Sequence, residues 1–148
     1  MPIVNRKALL PYTAEQMYAV VNNAEAYPQF LKWCERVRVL EKTETTQRAE
    51  LTLSKGPVRQ TFTTRNQMVP GREIRIVLDE GPFRFLTGVW SFRPIAGDGE
   101  VVGCEVEMHL EFEFKAGLIN RAFAQVFNPI SGTLVSAFCE RAHVLYGP

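Results

Sequence analysis

Glu105, Glu107, His109, Glu111 and Glu113 alternate along one stretch and form a dense set of ionisable side chains. Carboxylates and an imidazole are donor types that hold a divalent cation. Their spacing argues against that role. Alternate residues on one strand face lie ~6–7 Å apart, whereas a metal needs donors converging from several elements. The pattern predicts a solvated outer face that pairs with arginines of neighbouring strands, such as Arg59 and Arg65, and holds no metal. His143 falls near the end of a helical segment, where a cation complements the dipole. No nucleophile elbow, phosphate loop, HExxH pair or GxGxxG run occurs, so no catalytic residue is assigned. Cys34, Cys104 and Cys139 are odd in number and far apart, which fits buried reduced thiols rather than a disulfide framework or zinc site.

Aromatic side chains carry more information. Tyr27, Phe30 and Trp33 cluster in AEAYPQFLKWC, and Phe83 and Phe85 follow a DEGP turn. Trp90 and Phe92 share a strand face, Phe112 and Phe114 close the last strand, and Phe123 and Phe127 sit on the helix after it. Some of these rings are plain core, but together they exceed what a minimal core requires. An apolar concavity with few polar groups is the usual form of a small-molecule site. The expected lining is Phe30, Trp33, Trp90, Met108, Leu110, Phe112, Leu118, Ile119, Phe123 and Phe127. One wall is the first half of the C-terminal helix, and the other is the even-numbered face of the last strand.

These side chains must be positioned by few elements. A chain of 148 residues argues for one domain, 1–148, with one core, and needs no disulfide or metal to fold. Hydrophobic residues at 46% and charged residues at 22% fit an ordinary globular protein. No apolar run approaches the ~20 residues of a membrane span, and MPIVNRKALL lacks a signal-peptide layout, so a cytoplasmic protein is expected. Seventeen basic residues against sixteen acidic ones give no global field that would select DNA.

Ile3–Pro11 reads as a first strand. Thr13 with Gln16 three residues on is a capping-box signature, which predicts a helix over 14–22 with Met17, Val20 and Val21 buried. From Glu35 to Pro94, β-rich segments are broken by Gly56-Pro57, Pro70-Gly71 and Gly81-Pro82, the spacing of an antiparallel meander. Cys104–Phe114 alternates strictly and predicts a strand with Cys104, Val106, Met108, Leu110, Phe112 and Phe114 inward. From Leu118 to Leu145 the apolar period becomes 3.6, which predicts a long amphipathic helix ending before Gly147. Pro129 lies inside it, at a cost of ~3 kcal/mol for the lost bond and the clash. Asn128-Pro129, followed by Gly132, predicts a kink or a division of the helix, read either as a tolerated kink that improves packing on a twisted sheet or as a hinge at the cavity mouth. The fold class is α+β.

The segments LLPYTAEQMYAVVNNAEAYPQFLKWC, FTTRNQ, DEGPFRFLTGVWSF and LEFEF, in this order, resemble the START-like, helix-grip proteins of the polyketide cyclase/dehydrase superfamily. Within it the chain is similar to the family of ubiquinone-binding proteins and RatA-like ribosome association toxins, over essentially its whole length. The resemblance implies a curved antiparallel sheet of six or seven strands wrapped around a long C-terminal helix, with two short helices after strand 1. AEAYPQF is then the second short helix, with Pro28 in a first turn where its missing N–H costs nothing. The chain departs from the pattern at Lys32, where proline is common, and at Asn128-Pro129.

The function this implies is non-enzymatic binding of a hydrophobic ligand, an isoprenoid quinone (ubiquinone), in support of respiratory electron transport, with no cofactor required. A second implication is a toxin-like regulator that binds the large ribosomal subunit and blocks subunit association. Its contact candidates are Arg36, Arg38, Arg59 and Arg65, with Arg48 and Arg75 on neighbouring strands. Transient contact with a membrane surface is a further expectation. A third reading is a cyclase-like or lyase-like enzyme using a buried acid.

Overall fold

The computed structural model describes residues 2–147. Among the described residues there are seven strands: β1 (Ile3–Leu10), β2 (Cys34–Lys42), β3 (Thr46–Lys55), β4 (Val58–Val69), β5 (Glu73–Glu80), β6 (Phe83–Gly97) and β7 (Glu100–Phe114). Helix α1 (Ala14–Asn22), a 3-10 turn (Ala24–Ala26) and α2 (Tyr27–Phe30) follow β1, and α3 (Leu118–Ser131) and α4 (Leu134–Tyr146) follow β7. The sheet order is β1-β7-β6-β5-β4-β3-β2, with every neighbouring pair antiparallel. The chain lays down β1, crosses through the short helices to the far edge, and meanders back until β7 pairs with β1.

Local chemistry explains the elements. Thr13 accepts from the Gln16 backbone N–H at 3.0 Å, and Gln16 Oε1 accepts from the Thr13 N–H at 2.8 Å, which closes the capping box of α1. Met17, Val20 and Val21 of that helix are buried, with Tyr18 beside them. Pro28 stands in the first turn of α2. Along β7, Cys104, Val106, Met108, Leu110 and Phe112 are buried, while the intervening residues are half-exposed. Register shifts within β2, between Thr63 and Thr64, and within β6 bend the strands locally.

The apolar stretch from Leu118 onward is divided into two helices that meet at 51°, as Asn128-Pro129 and Gly132 predicted. Pro129 offers no N–H to the carbonyl four residues back, so the helical ladder weakens there. The break at Gly132-Thr133 is satisfied locally. Buried Ser131 donates its hydroxyl to Asn128 O at 2.7 Å, and the Thr133 hydroxyl and N–H donate to Ile130 O at 2.8 and 2.9 Å.

One stretch of the groove between sheet and helices is filled by rings. Phe83 has the rings of Phe62, Phe112, Phe114, Phe123 and Phe127 centred 5.6, 6.2, 5.1, 5.6 and 5.0 Å away. Edge-to-face pairs of this kind add ~0.5–1.5 kcal/mol beyond their buried area. Met108, Phe112 and Phe123 are thus fully buried core rather than pocket wall, which corrects the expected lining. Leu118 and Ile119 correct it in the other direction. They begin α3 at 79% and 73% exposure, so the first turn stands in solvent outside the groove.

Candidate functional site

Beneath the bend between α3 and α4 the groove is hollow, with a volume of about 110 Å³. Of the residues expected to line a pocket, Trp33, Trp90, Leu110 and Phe127 line this hollow. Phe30 does not. It packs against Phe138 and Tyr27 at 5.6 and 6.1 Å, with the Arg141 guanidinium 5.0 Å from its ring centre, and borders a separate depression.

The hollow exists because small side chains occupy positions where rings would close it. Ala24 and Ala49 stand on its wall. The strand register carries one transverse row across the sheet, Gln47–Asn66–Ile76–Gly88–Leu110. Gly88 keeps that row low, since a Cβ there would sit 3.0 Å from Leu110 Cδ1. Leu134 and Phe138 of α4 close the opposite side, with Phe138 edge-on to Trp90 at 5.3 Å. The wall on the helix side therefore comes from both C-terminal helices and not from the first alone.

Three lining residues are polar, and none was assigned from the sequence: Gln47 on β3, and Thr64 and Asn66 on β4. Gln47 is 3% exposed, and the amide oxygens of Gln47 and Asn66 are both buried without a hydrogen-bond partner. A signal for them existed in the alternation. Gln47 keeps step with Ala49, Leu51 and Leu53, and Asn66 with Phe62, Thr64 and Met68, which places them on the inner face. The walls carry no carboxylate, histidine, lysine or thiol among the described residues. Tyr27 is their ionisable group. Its hydroxyl donates to Val21 O, and burial pushes its ionisation well above the usual tyrosine range. The buried thiols, neither of them in the lining, are equally inert: desolvation pushes Cys34 and Cys104 up to about 11.

The opposite face of the sheet is charged. Arg36 and Arg38 reach Glu50 at 4.0 and 3.7 Å, and Arg48 and Arg65 reach Asp79 at 2.7 and 3.0 Å. Arg59 pairs with Glu35 at 2.7 Å and Arg75 with Glu73 at 2.9 Å. Six arginines thus meet four carboxylates, and two of those carboxylates are shared. The two guanidinium groups on Asp79, that of Arg48 first, hold its carboxyl below the usual aspartate range.

The acidic stripe of β7 pairs with different partners from those expected. Arg93 bridges Glu105 and Glu107, and Arg84 lies 3.7 Å from Glu113, whereas Arg59 and Arg65 lie strands away. The sheet order is the reason, since β7 neighbours β6 and β1, not β4. His109 sits between Asn5, 3.3 Å away, and Glu111, 3.0 Å away. His143 contacts the Tyr12 hydroxyl at 2.7 Å in the last turn of α4. Among the described residues no group of three or more acidic, histidine or cysteine side chains is arranged to hold a metal. No single helix is long and apolar enough to cross a membrane.

Comparison with known proteins adds to this geometry. Residues 10–139 match the family described as polyketide cyclase / dehydrase and lipid transport. The chain is 43% identical to the ribosome association toxin RatA of Pseudomonas aeruginosa over 97% of either chain. It is 31% identical to the mitochondrial coenzyme Q-binding protein COQ10 homolog B of Xenopus laevis, over 94% of this chain and 57% of the longer relative. Its fold is similar to the crystal structure of the Zhui aromatase/cyclase from Streptomyces sp. R1128, with a TM-score of 0.78 at 17% identity over 96% of this chain and 93% of that one. That last likeness shows the fold alone. The relatives similar in sequence carry the names of toxins and binding proteins, not of enzymes.

Proposed function

Because the chain belongs to the polyketide cyclase/dehydrase and lipid transport family, together with ribosome association toxins and coenzyme Q-binding proteins, we propose that it binds a hydrophobic ligand without transforming it. The ligand class is an isoprenoid quinone, and the role is support of respiratory electron transport. The observation that carries this reading is the hollow itself, walled by Trp33, Trp90, Phe127, Leu134 and Phe138 and free of any side chain that could act as acid, base or nucleophile near neutral pH. Binding is driven by desolvation, at ~25 cal/mol per Å² of apolar surface removed from water.

The volume of about 110 Å³ constrains how this happens. Sites for drug-sized ligands measure roughly 300–1,000 Å³. A ring head group enters the hollow only with its tail outside, or with α3 moving away from the sheet about the Gly132-Thr133 break. Exposed Leu118 and Ile119, flanked by exposed Lys115 and Arg121, give that end of α3 the composition for transient contact with an anionic membrane surface. The test is mass spectrometry of organic extracts from the purified protein. A co-purifying isoprenoid quinone is expected. An empty extract, together with no binding of added quinone, overturns the reading.

A second reading has its own support. The likeness to ribosome association toxins runs the whole length of the chain at 43% identity, and the outer face carries more arginines than paired carboxylates. Association with the large ribosomal subunit through Arg36, Arg38, Arg59 and Arg65 is electrostatic on this view. Affinity should then fall steeply with salt, by a log–log slope of roughly −0.7 to −0.9 per phosphate contact by analogy with simpler nucleic acids. Co-sedimentation that persists unchanged at high salt rules the mechanism out.

A further inference from the structure

Gln47 and Asn66 are register partners on adjacent strands, and both turn into the hollow. Among the described residues, neither amide takes part in any side-chain hydrogen bond, and both amide oxygens are buried and orphaned. Each carboxamide carries both an acceptor oxygen and an NH2 donor. Each amide needs a partner that can donate and accept. The rest of the wall is almost wholly apolar, so such a partner must come from the occupant. Buried polar groups are paired in nearly all native structures, and an exception this specific inside a cavity marks where the occupant is polar.

We propose that Gln47 and Asn66, with Thr64 beside them in the lining, form the head-group subsite, and that it selects a ligand carrying a ring hydroxyl. A hydroxyl donates to an amide oxygen and accepts from an amide N–H through one atom. A quinone carbonyl only accepts. It can pair with the NH2 groups but leaves both amide oxygens unmet. On the quinone reading above, on which this inference rests, the protein therefore prefers the reduced quinol to the oxidised quinone. No electron transfer is involved, since the protein discriminates between two redox forms made elsewhere.

The experiment titrates wild-type protein and the Gln47→Leu/Asn66→Leu double variant anaerobically with decylubiquinol, decylubiquinone and 4-nonylphenol, following the fluorescence of Trp33 and Trp90. The wild type should bind the quinol about tenfold more tightly than the quinone, the scale of one buried polar mismatch. In the double variant that ratio should fall to near one. Its melting temperature should be retained or rise, because two orphaned buried amides are replaced by apolar groups of similar size.

Equal binding of quinol and quinone by the wild type overturns the inference and leaves the hydrophobic-ligand reading intact. So does a preference that survives in the double variant. Binding of nonylphenol that depends on both amides, with neither quinone form bound, removes the quinone reading and keeps the hydroxyl subsite. Binding of none of the three removes both. If the double variant fails to fold, the amides are structural and the inference falls.

Discussion

Phe83 and Ala49 face the same groove from the same sheet. Around Phe83 five rings close the space between sheet and α3. Around Ala49 the space is open, and the side chains that would fill it are an alanine, a threonine and two amides. The filled stretch behaves as any core, where each ring is held by several others. The hollow stretch forgoes that packing, and its polar groups forgo partners. A domain of this size has only ~5–15 kcal/mol in reserve, so the dense stretch has to supply the stability that the hollow one lacks.

The contrast is broken most directly by truncating its dense side. Phe83→Ala should cost ~3–5 kcal/mol. For a chain of this length that lowers the melting temperature by roughly 10 °C or more, read by circular dichroism. A fall of only two or three degrees would mean that the ring block is not the stabilising half. Phe127 belongs to both halves. It lines the hollow, yet it lies 4.9 Å from Phe112, 5.0 Å from Phe83 and 5.6 Å from Phe123. Phe127→Ala should therefore destabilise by several kcal/mol as well as impair binding, whereas a purely cavity-facing residue would lose binding with its melt intact. The half-exposed Phe114 should cost less than either when truncated.

A cleaner probe fills the hollow without removing a contact. Ala49→Leu places three more carbons in a space of about 110 Å³. Decylubiquinone binding should weaken by tenfold or more, ~1.4 kcal/mol, while the melting temperature moves by less than that of Phe83→Ala. Undiminished binding would show that the ligand sits elsewhere.

The smallest effect lies on the outer face. Asp79 is held below its usual range by Arg48 and Arg65, so its folded value is lower than its unfolded one of ~3.9. A depressed carboxylate contributes stability above the unfolded value and loses it as pH falls through the folded one. Asp79→Asn should lack this pH-dependent increment, so the variant melts slightly lower near neutrality and converges on the wild type below about pH 4; the difference stays small because the pairs are partly solvated. A parallel profile for both proteins would show that the pair does not couple to folding.

Much of the architecture is legible in the residues because it is local. Strict alternation from Cys104 to Phe114 is a strand whatever surrounds it, and Thr13 with Gln16 caps a helix through bonds three residues apart. Pro129 announces trouble in the last helix for the same reason, since a missing N–H is a property of one residue. The likeness of the whole chain to START-like proteins rests on such segments in order, and the matched fold agrees with it.

Tertiary structure alone decides which rings meet and which leave a gap. Periodicity says that Phe112, Phe123 and Phe127 face inward, but not that they close on Phe83 and leave the space beside Trp90 open. That depends on where the helix pair bends and on Gly88 and Ala49 keeping the opposite wall low. Leu118 and Ile119 share the apolar stripe and still lie in solvent, because periodicity does not say how much of a stripe is covered. Gln47 and Asn66 are hardest to place from sequence. A lone amide in a strand reads as outward, since burying it unpaired costs ~1–3 kcal/mol. A binding cavity is where a fold bears that cost until an occupant supplies the missing partner.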